Sequence, residues 1–289
     1  MKGLILAGGT GSRLWPITLG VSKQLVPVYD KPMIYYPLST LMLAGCREIA
    51  IITSENDLSS FQRLLGDGSH LGISLTYLKQ DSPKGLADAY LVAEDYISGD
   101  ASCLALGDNL FYGQGLGTNL RKSSPSTGAL VFGYRVSNPQ DYGVVQTDPQ
   151  GKPISLIEKP LTYVSNLAIP GLYFMDSSAP ERAARLKPSS RGELEIIDLL
   201  NSYLQDDALE ISVLPRGTVW LDTGGFDSLA EATEYVKVVQ KREGRMIASP
   251  EEIAWRMGWI SDKQLEVRGK ELLRSGYGLY LLEILDPRK

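Results

Sequence analysis

The sequence contains very little histidine and cysteine. His70 is its one histidine, and Cys46 and Cys103 are its two cysteines. A catalytic pair built on histidine and a metal site with several histidines are therefore excluded. The two cysteines lie far apart in apolar segments and form no C-x-x-C unit, so we expect neither a zinc site nor a disulfide framework. The chemistry of this chain must depend on carboxylates, lysines, arginines and backbone groups.

Long apolar runs and blocks of positive charge are also missing. No apolar run reaches the roughly 18 residues of a membrane span, and residues 4–7 are too short a run for a signal peptide. We therefore expect a cytoplasmic protein with no membrane partner. Among the 289 residues, 29 Lys and Arg stand against 34 Asp and Glu, a net charge of −5. This balance argues against a nucleic-acid partner.

Short apolar segments alternate with amphipathic segments in the first half of the chain. They predict strands at 4–7, 48–53, 74–78 and 103–106, and helices at 33–44, 58–65 and 85–96. Strands that alternate with helices in this way predict right-handed crossovers and a mainly parallel sheet.

The pattern changes in the second half. Asp148-Pro149-Gln150-Gly151 is a turn signal between two apolar segments and predicts a hairpin, so we expect an antiparallel insertion around 129–175. Within it, a single strand is predicted over 167–175. The fold class that we predict is α/β, with a mixed, mainly parallel central sheet flanked by helices. We expect a core over 1–243 and a helical C-terminal region over 244–289, packed on the core or at an oligomer interface.

A glycine-rich loop follows the first predicted strand. Residues 6–14 read Leu-Ala-Gly-Gly-Thr-Gly-Ser-Arg-Leu. Three glycines in four positions would let backbone N–H groups converge on an anion without side chains in the way. Arg13 and Lys23 add two positive charges close to the loop. Taken alone, such cations are more often solvated, but beside convergent N–H groups they suit a polyphosphate.

Two common phosphate-binding fingerprints do not fit this loop. A dinucleotide fingerprint needs a small residue where Leu14 stands. Its acidic residue would be Asp30, but Pro27 and Pro32 interrupt the strand that Asp30 should follow. A Walker A loop needs Gly-Lys followed by Ser or Thr, which is not found here. An NAD-dependent oxidoreductase is therefore disfavoured.

The glycine loop and Ser22-Lys23-Gln24-Leu25 together resemble the signature of the sugar-phosphate nucleotidylyltransferases, most closely the branch that makes dTDP-glucose. The resemblance extends almost from end to end, and its further motifs are Tyr112-Gly113, Gly143-Val144-Val145, Glu158-Lys159-Pro160, Arg191-Gly192-Glu193-Leu194-Glu195-Ile196 and Trp220-Leu221-Asp222-Thr223-Gly224. It implies a Rossmann-like nucleotidyltransferase core. The implied reaction joins dTTP and glucose 1-phosphate into dTDP-glucose and pyrophosphate, for deoxysugar synthesis of the dTDP-rhamnose type.

The resemblance also implies a role for individual residues. Mg²⁺ would be held by Asp108 and Asp222, each of which follows or ends a predicted strand. The residues implied in catalysis are Arg13, Lys23, Asp108 and Lys159. The sugar phosphate would be bound by Gly143, Glu158, Lys159 and Arg191. The nucleotide would be bound by Gly8, Gly9, Thr10, Gly11, Ser12, Arg13, Gln24, Gln80 and Gly85, with Gln80 and the backbone of Gly85 reading the edge of the base.

Two positions depart from the usual pattern of this family. Gln114 stands where histidine is common, and Gly225 stands where threonine is common. Gln114 leaves open whether a second, regulatory nucleotide site is intact. The resemblance further implies a homotetramer, and the apolar side chains after residue 250 fit either core packing or an interface between copies.

Other functions remain open at this point. Gln80 does not distinguish thymine from uracil by the imide edge, so UTP or another sugar 1-phosphate is an alternative substrate. A catalytically inactive nucleotide-sugar sensor is a further alternative. The presence of Arg13, Lys23, Asp108, Lys159 and Asp222 argues against it.

Overall fold

The computed structural model describes residues 1–123 and 127–286. Its strands are β1 Lys2–Leu6, β2 Pro27–Val28, β3 Lys31–Pro32, β4 Glu48–Thr53, β5 Ser74–Lys79, β6 Ser102–Leu106, β7 Asn109–Tyr112, β8 Ala129–Arg135, β9 Gly143–Thr147, β10 Pro153–Glu158, β11 Leu167–Ala168, β12 Leu172–Met175, β13 Leu209–Val213 and β14 Val219–Asp222.

The helices lie between and after these strands. They are α1 Tyr35–Leu43, α2 Glu55–Leu65, α3 Asp88–Val92, α4 Glu94–Ile97, α5 Leu116–Arg121, α6 Ala179–Ala184, α7 Ile196–Gln205, α8 Phe226–Glu243, α9 Pro250–Arg256, α10 Asp262–Glu271 and α11 Gly276–Glu283. Short 3-10 helices occupy Ser12–Leu14, Ile17–Leu19, Lys23–Leu25, Ser69–Leu71 and Pro139–Asp141. Within the described ranges, no helix is both long enough and apolar enough to cross a membrane.

A mixed sheet forms the centre of the fold. Strands β5, β4, β1 and β6 are parallel neighbours in that order, so that Leu4 of β1 pairs with Ala50 of β4 and Leu104 of β6. The antiparallel part begins with β12 beside β6 and continues through β8, β11, β9 and β10. Strand β13 pairs with β8 in parallel. The predicted fold class, a mixed central sheet flanked by helices, is confirmed.

The two faces of the sheet are covered by different helices, because successive side chains of a strand point to opposite faces. Ile5 belongs to an apolar cluster that includes Leu38 of α1 and Leu281 of α11. Leu4 belongs to the opposite cluster, with Tyr90 of α3 and Tyr203 of α7. The C-terminal helices therefore pack on the same face as α1. The division of the chain at residues 243 and 244 stays a prediction.

Several elements differ from those expected from the sequence, among them the following three. The helix predicted over 85–96 begins only at Asp88, after Gly85 with its φ of 104°. It is divided into α3 and α4 at Ala93, which has a φ of −99° and a ψ of 7°. The strand predicted over 167–175 is interrupted at Pro170, which has no N–H to donate to a neighbouring strand. Strand β7, which was not predicted, begins at Asn109 directly after the predicted turn residue Asp108.

Candidate active site

The candidate site is a cleft of about 310 Å³ at the carboxyl ends of β1 and β6. Ligands of open α/β sheets usually bind at this edge. The cleft is lined by eight of the residues singled out in the sequence: Gly9, Arg13, Gln24, Asp108, Gly143, Glu158, Lys159 and Asp222. Strand ends from both the parallel and the antiparallel part of the sheet therefore meet in one cavity.

The ribbon formed by β7 and β14 brings the two aspartates together. Its strands are antiparallel, and Asp222 is paired with Asn109, the residue after Asp108. Thr223 reinforces this register, because its backbone N–H and its Oγ1 both donate to the carbonyl oxygen of Asp108, at 3.0 and 2.8 Å. The two carboxylates thus reach the same end of the cleft from distant parts of the chain.

Asp108 is held by two side chains. Lys23 Nζ lies 2.5 Å from Asp108 Oδ2, and Asn109 Nδ2 donates to Oδ1 at 2.9 Å. Lys23 is only 6% exposed, so its ion pair with Asp108 lies in a largely dehydrated position. A buried charge needs such a partner. Lys23 follows the glycine loop, and its ion pair with Asp108 therefore connects that loop to the end of β6.

Asp222 carries the most informative electrostatic signal in the site. Burial and the neighbouring carboxylate of Asp108 raise the pKa of Asp222 to about 6, against the opposing effect of Lys23, Arg13 and Lys159. Arg13 lies against Gly224, where a Cβ would stand 3.1 Å from its Nη1. Burial and mutual repulsion thus favour a proton or another positive charge directly beside Asp222, while the three cations favour anionic ligands around it.

The donor set fits a hard divalent cation. The described residues contain no group of three or more His, Cys, Asp or Glu side chains that could hold a metal ion, so a metal here would have two protein carboxylates and further oxygen ligands from substrate phosphates and water. Magnesium commonly binds in this way, through one or two carboxylates and phosphate oxygens. The repulsion between Asp108 and Asp222 would be relieved by such a cation.

The glycine loop is open toward the cleft. Residues 12–14 form a 3-10 helix whose preceding residue, Gly11, has a φ of 62°, and Thr18 Oγ1 donates to its carbonyl oxygen at 2.7 Å. In the described part of the chain, the N–H groups of Gly8, Gly9 and Thr10 meet no backbone acceptor. Ser12 is exposed at the same surface. Backbone donors are thus left free for an anion.

The residues predicted to contact the nucleoside lie beside this loop. Gln80 follows β5 and is buried, and a Cβ on Gly8 would stand 2.5 Å from Gln80 Oε1. Ser22 Oγ donates to Gln24 Oε1 at 3.0 Å. Gly85 packs on the backbone of Leu194, where a side chain would not fit. Gln24 lines the cleft, whereas Gln80 and Gly85 are not among its lining residues.

The opposite side of the cleft is built by the β9–β10 hairpin. Glu158 is paired with Gly143, and burial raises the pKa of its carboxyl group while Lys159 opposes that effect. Lys159 has a φ of 44°, an uncommon backbone conformation for a lysine, and its N–H donates to the carbonyl oxygen of Tyr142 at 3.0 Å. Both Glu158 and Lys159 line the cleft, although they are neighbours in the sequence.

Arg191 is placed differently from the other predicted residues. It is exposed, lies outside the lining of the cleft, and donates from Nη2 to both carboxylate oxygens of Glu195 at 2.9 and 3.0 Å. Glu193 is a further partner at 3.4 Å. A role for Arg191 in binding a phosphate stays a prediction.

Asn109 is a residue of the site that was not predicted from the sequence. Its Oδ1 accepts hydrogen bonds from Trp220 Nε1 at 2.6 Å and from the backbone N–H of Gly171 at 3.1 Å. Its Nδ2 holds Asp108, so one side chain joins β7, β14 and the loop before β12. An asparagine after Gly-Asp is typical of turns, and nothing in its local sequence distinguishes this function.

Two aromatic residues of the cleft were missed as well. The rings of Tyr142 and Trp220 lie 5.0 Å apart, and Tyr134 contacts Trp220 edge-on with a separation of 5.6 Å. Trp220 precedes Asp222 by two positions in the same strand. Because side chains alternate along a strand, Trp220 belongs on the same face of the ribbon as Asp222. The spacing of two positions between Trp220 and Asp222 could therefore have indicated from the sequence that Trp220 lies at the site.

The sequence is closely similar to characterised enzymes. A glucose-1-phosphate thymidylyltransferase from Mycobacterium tuberculosis is 54% identical over 286 residues, which are 99% of this chain and 99% of that protein. A chain from Bacillus anthracis that has been assigned as a glucose-1-phosphate thymidylyltransferase, crystallised with a sucrose, has 37% identity and a TM-score of 0.75. It covers 81% of this chain and 94% of its own length.

A more distant enzyme shares the same fold. The crystal structure of a UDP-glucose pyrophosphorylase complexed with UDP-glucose has a TM-score of 0.71 and 25% identity, and it covers 84% of this chain and 99% of its own. The family model described as nucleotidyl transferase matches residues 2–238. On the strength of this match and of the close relative that spans nearly the whole chain, the protein belongs to the nucleotidyl transferase family.

Proposed function

We infer that the protein transfers a thymidylyl group from dTTP to glucose 1-phosphate, giving dTDP-glucose and pyrophosphate. The observation that carries this inference is the pair Asp108 and Asp222, which meet at one end of a cleft that also contains Arg13 and Lys159, with Lys23 paired to Asp108. A relative of that activity, 54% identical over nearly the whole chain, supports the choice of substrates. We further propose that the product feeds deoxysugar synthesis of the dTDP-rhamnose type.

The reaction matches a site that is poor in histidine. An oxygen of the sugar 1-phosphate attacks the α-phosphorus of dTTP. The bond from that phosphorus to the bridging oxygen breaks, and pyrophosphate leaves with the electron pair. Since the attacking phosphate is already ionised at neutral pH, no proton has to be removed. The protein must align the two phosphates and neutralise charge in the transition state.

Different cations would bind the phosphates of the two substrates. Arg13 and the free N–H groups of the glycine loop, with Thr10 and Ser12, would hold the triphosphate. Lys23, held by Asp108, would keep positive charge at the α-phosphate. Lys159 would bind the phosphate of the sugar from the other side of the cleft. Arg191 would reach that phosphate after breaking its pair with Glu195.

Other residues would recognise the sugar and the base of the substrates. Glu158 and the backbone of Gly143 would bind sugar hydroxyls, since a carboxylate can accept from two neighbouring hydroxyl groups. Gln24 would lie beside the nucleoside. Gln80 and the backbone of Gly85 would meet the edge of the thymine.

We also propose that Asp108 and Asp222 hold Mg²⁺. When bound there, the ion supplies positive charge that neutralises the triphosphate oxygens and the transition state. The two carboxylates, their mutual repulsion and the oxygen-only donor set support this choice of ion.

The substrate assignment is tested by pyrophosphate release. With glucose 1-phosphate and a panel of dTTP, UTP, dCTP and ATP, we expect the highest kcat/KM with dTTP, and loss of turnover in EDTA. A higher kcat/KM with UTP would contradict the choice of nucleotide. Absence of pyrophosphate release with every triphosphate in the presence of Mg²⁺ would overturn the enzymatic function itself and favour a nucleotide-sugar sensor.

Asp108→Asn should lower kcat on the order of 10²-fold or more, because it removes a charge that acts through the electrostatics of the transition state. The matched control is Asp95→Asn, which makes the same change at an exposed residue of α4 and should leave turnover unchanged. Steady-state kinetics at saturating Mg²⁺ measure both. Turnover of Asp108→Asn close to that of the wild type would remove Asp108 from the site.

Asp222→Asn should stabilise the metal-free protein at pH 7. The folded-state pKa of Asp222 is raised, so the native state binds its proton more tightly than the unfolded state does. Stability therefore falls as the pH rises from about 4 to about 6, and the penalty persists above that range. Removing the charge should raise the free energy of unfolding by roughly 1–3 kcal/mol at pH 7, with no gain at pH values below the ordinary pKa of the group.

Urea unfolding in EDTA at several pH values measures this difference. Added Mg²⁺ should stabilise the wild type and not Asp222→Asn, since the ligand is lost. A wild type that is as stable as Asp222→Asn at pH 7 in EDTA would show that the charge of Asp222 does not destabilise the free protein.

We propose, finally, that the protein is a cytoplasmic homo-oligomer, a homotetramer by resemblance, in which the helical region 244–289 packs on the core 1–243 and contributes to an interface. Exposed apolar side chains of this region support the interface: Val267, Leu273 and Leu279 are each about half exposed. Light scattering should return a multiple of the 31.6 kDa chain mass. A particle with the mass of one chain would contradict the proposal.

A further inference from the structure

The side chain of Gln80 is held by an acidic neighbour. Gln80 and Asp88 are 6% and 7% exposed, and Gln80 Nε2 donates to Asp88 Oδ2 at 2.8 Å. A carboxylate accepts hydrogen bonds and cannot donate them. The NH₂ group of Gln80 must therefore face Asp88, and the orientation of the amide is fixed by the chemistry of its partner.

This orientation turns the carbonyl oxygen of Gln80 toward the glycine loop. A Cβ on Gly8 would stand 2.5 Å from Gln80 Oε1, so the oxygen occupies space that a glycine leaves free. Within residues 1–123 and 127–286, no donor forms a hydrogen bond with this oxygen. A nearly buried amide oxygen thus remains available as an acceptor beside the predicted nucleotide site.

Both partners are fixed by their backbones. The N–H of Gln80 donates to the carbonyl oxygen of Thr53 at 2.9 Å, which fixes the chain after β5. Asp88 begins α3 after a segment that is tied to Leu194 on both sides: Leu194 N–H donates to Lys84 O at 2.7 Å, and Ala87 N–H donates to Leu194 O at 3.1 Å. The amide is therefore clamped between two anchored parts of the chain.

We propose that Asp88 is a positioning residue that keeps Gln80 in a single orientation as a hydrogen-bond acceptor, and that it thereby sets the choice of pyrimidine at the predicted nucleotide site beside the glycine loop. The inference rests on the proposed function, in which Gln80 meets the edge of the base. Thymine and uracil present an N–H donor at N3, whereas cytosine presents an acceptor there. An amide that is free to turn could bind either kind of base, and the one held by Asp88 can bind the first kind alone.

Asp88→Asn tests the proposal with little change of shape. The new amide can accept from Gln80 Nε2 or donate to Gln80 Oε1, so that Gln80 is free to turn. We expect KM for dTTP to rise about tenfold while kcat stays near that of the wild type, and the ratio of kcat/KM for dTTP over dCTP to fall about tenfold or more, which is the scale of one hydrogen bond. Asp95→Asn is the control with the same loss of charge and should keep the wild-type ratio.

A double-mutant cycle separates positioning from a general structural effect. Gln80→Ala should by itself lower the dTTP over dCTP ratio, and adding Asp88→Asn to it should change that ratio no further, because Asp88 acts through the missing amide. A purely structural role would make the two losses additive. Thermal unfolding of every variant shows that each is folded, and Gln80→Ala alone tests the role of the amide should Asp88→Asn not fold.

The outcomes distinguish this inference from the proposed function. Wild-type turnover with dTTP, combined with an unchanged dTTP over dCTP ratio in Asp88→Asn or in Gln80→Ala, would overturn the role of Asp88 and leave the activity in place. A wild type without turnover on any triphosphate would overturn both.

Discussion

The register of the β7–β14 ribbon is the constraint on which the candidate site depends. It pairs Asp222 with Asn109 and lets Thr223 bind the carbonyl oxygen of Asp108, so two carboxylates from distant parts of the chain reach one point. A shift by one residue would turn Asp222 to the other face of the ribbon. Trp220 would turn with it and lose its hydrogen bond to Asn109. The positions of the two carboxylates and of Trp220 thus depend on the pairing of β7 with β14.

The concentration of charge in the cleft has a cost in the free protein. Burial and the nearby carboxylate of Asp108 raise the pKa of Asp222 and so destabilise the folded state, and Lys23 offsets part of this by its contact with Asp108. Burying ionic groups seldom improves stability by itself. The proposed function explains this arrangement, because the phosphates of the substrates would bring negative charge to the cations and a metal ion would bring positive charge to the carboxylates.

Parts of the fold and of the site could be predicted because their signals are local. The glycine loop, the strands before Gln80 and Asp108, and the β9–β10 hairpin each follow from a short run of residues. The pairing of β7 with β14 could not be predicted, since it joins segments far apart in sequence and Asp108-Asn109 has the composition of a turn. Arg191 shows the same limit: its motif indicates a phosphate ligand, but its pairing with Glu195 depends on a loop conformation that composition does not reveal.

Polar groups in the cleft and beside it are already held in place by protein partners. Lys23 is fixed by Asp108, Gln24 by Ser22, and Gln80 by Asp88. Groups that are oriented before the substrates bind need little reorganisation when charge develops in the transition state, and electrostatic catalysis depends on this property. A reaction whose nucleophile is already ionised benefits from fixed charges and gains nothing from a proton acceptor. The scarcity of histidine and the rigid network of amides, lysine and carboxylates are therefore two consequences of the same chemistry.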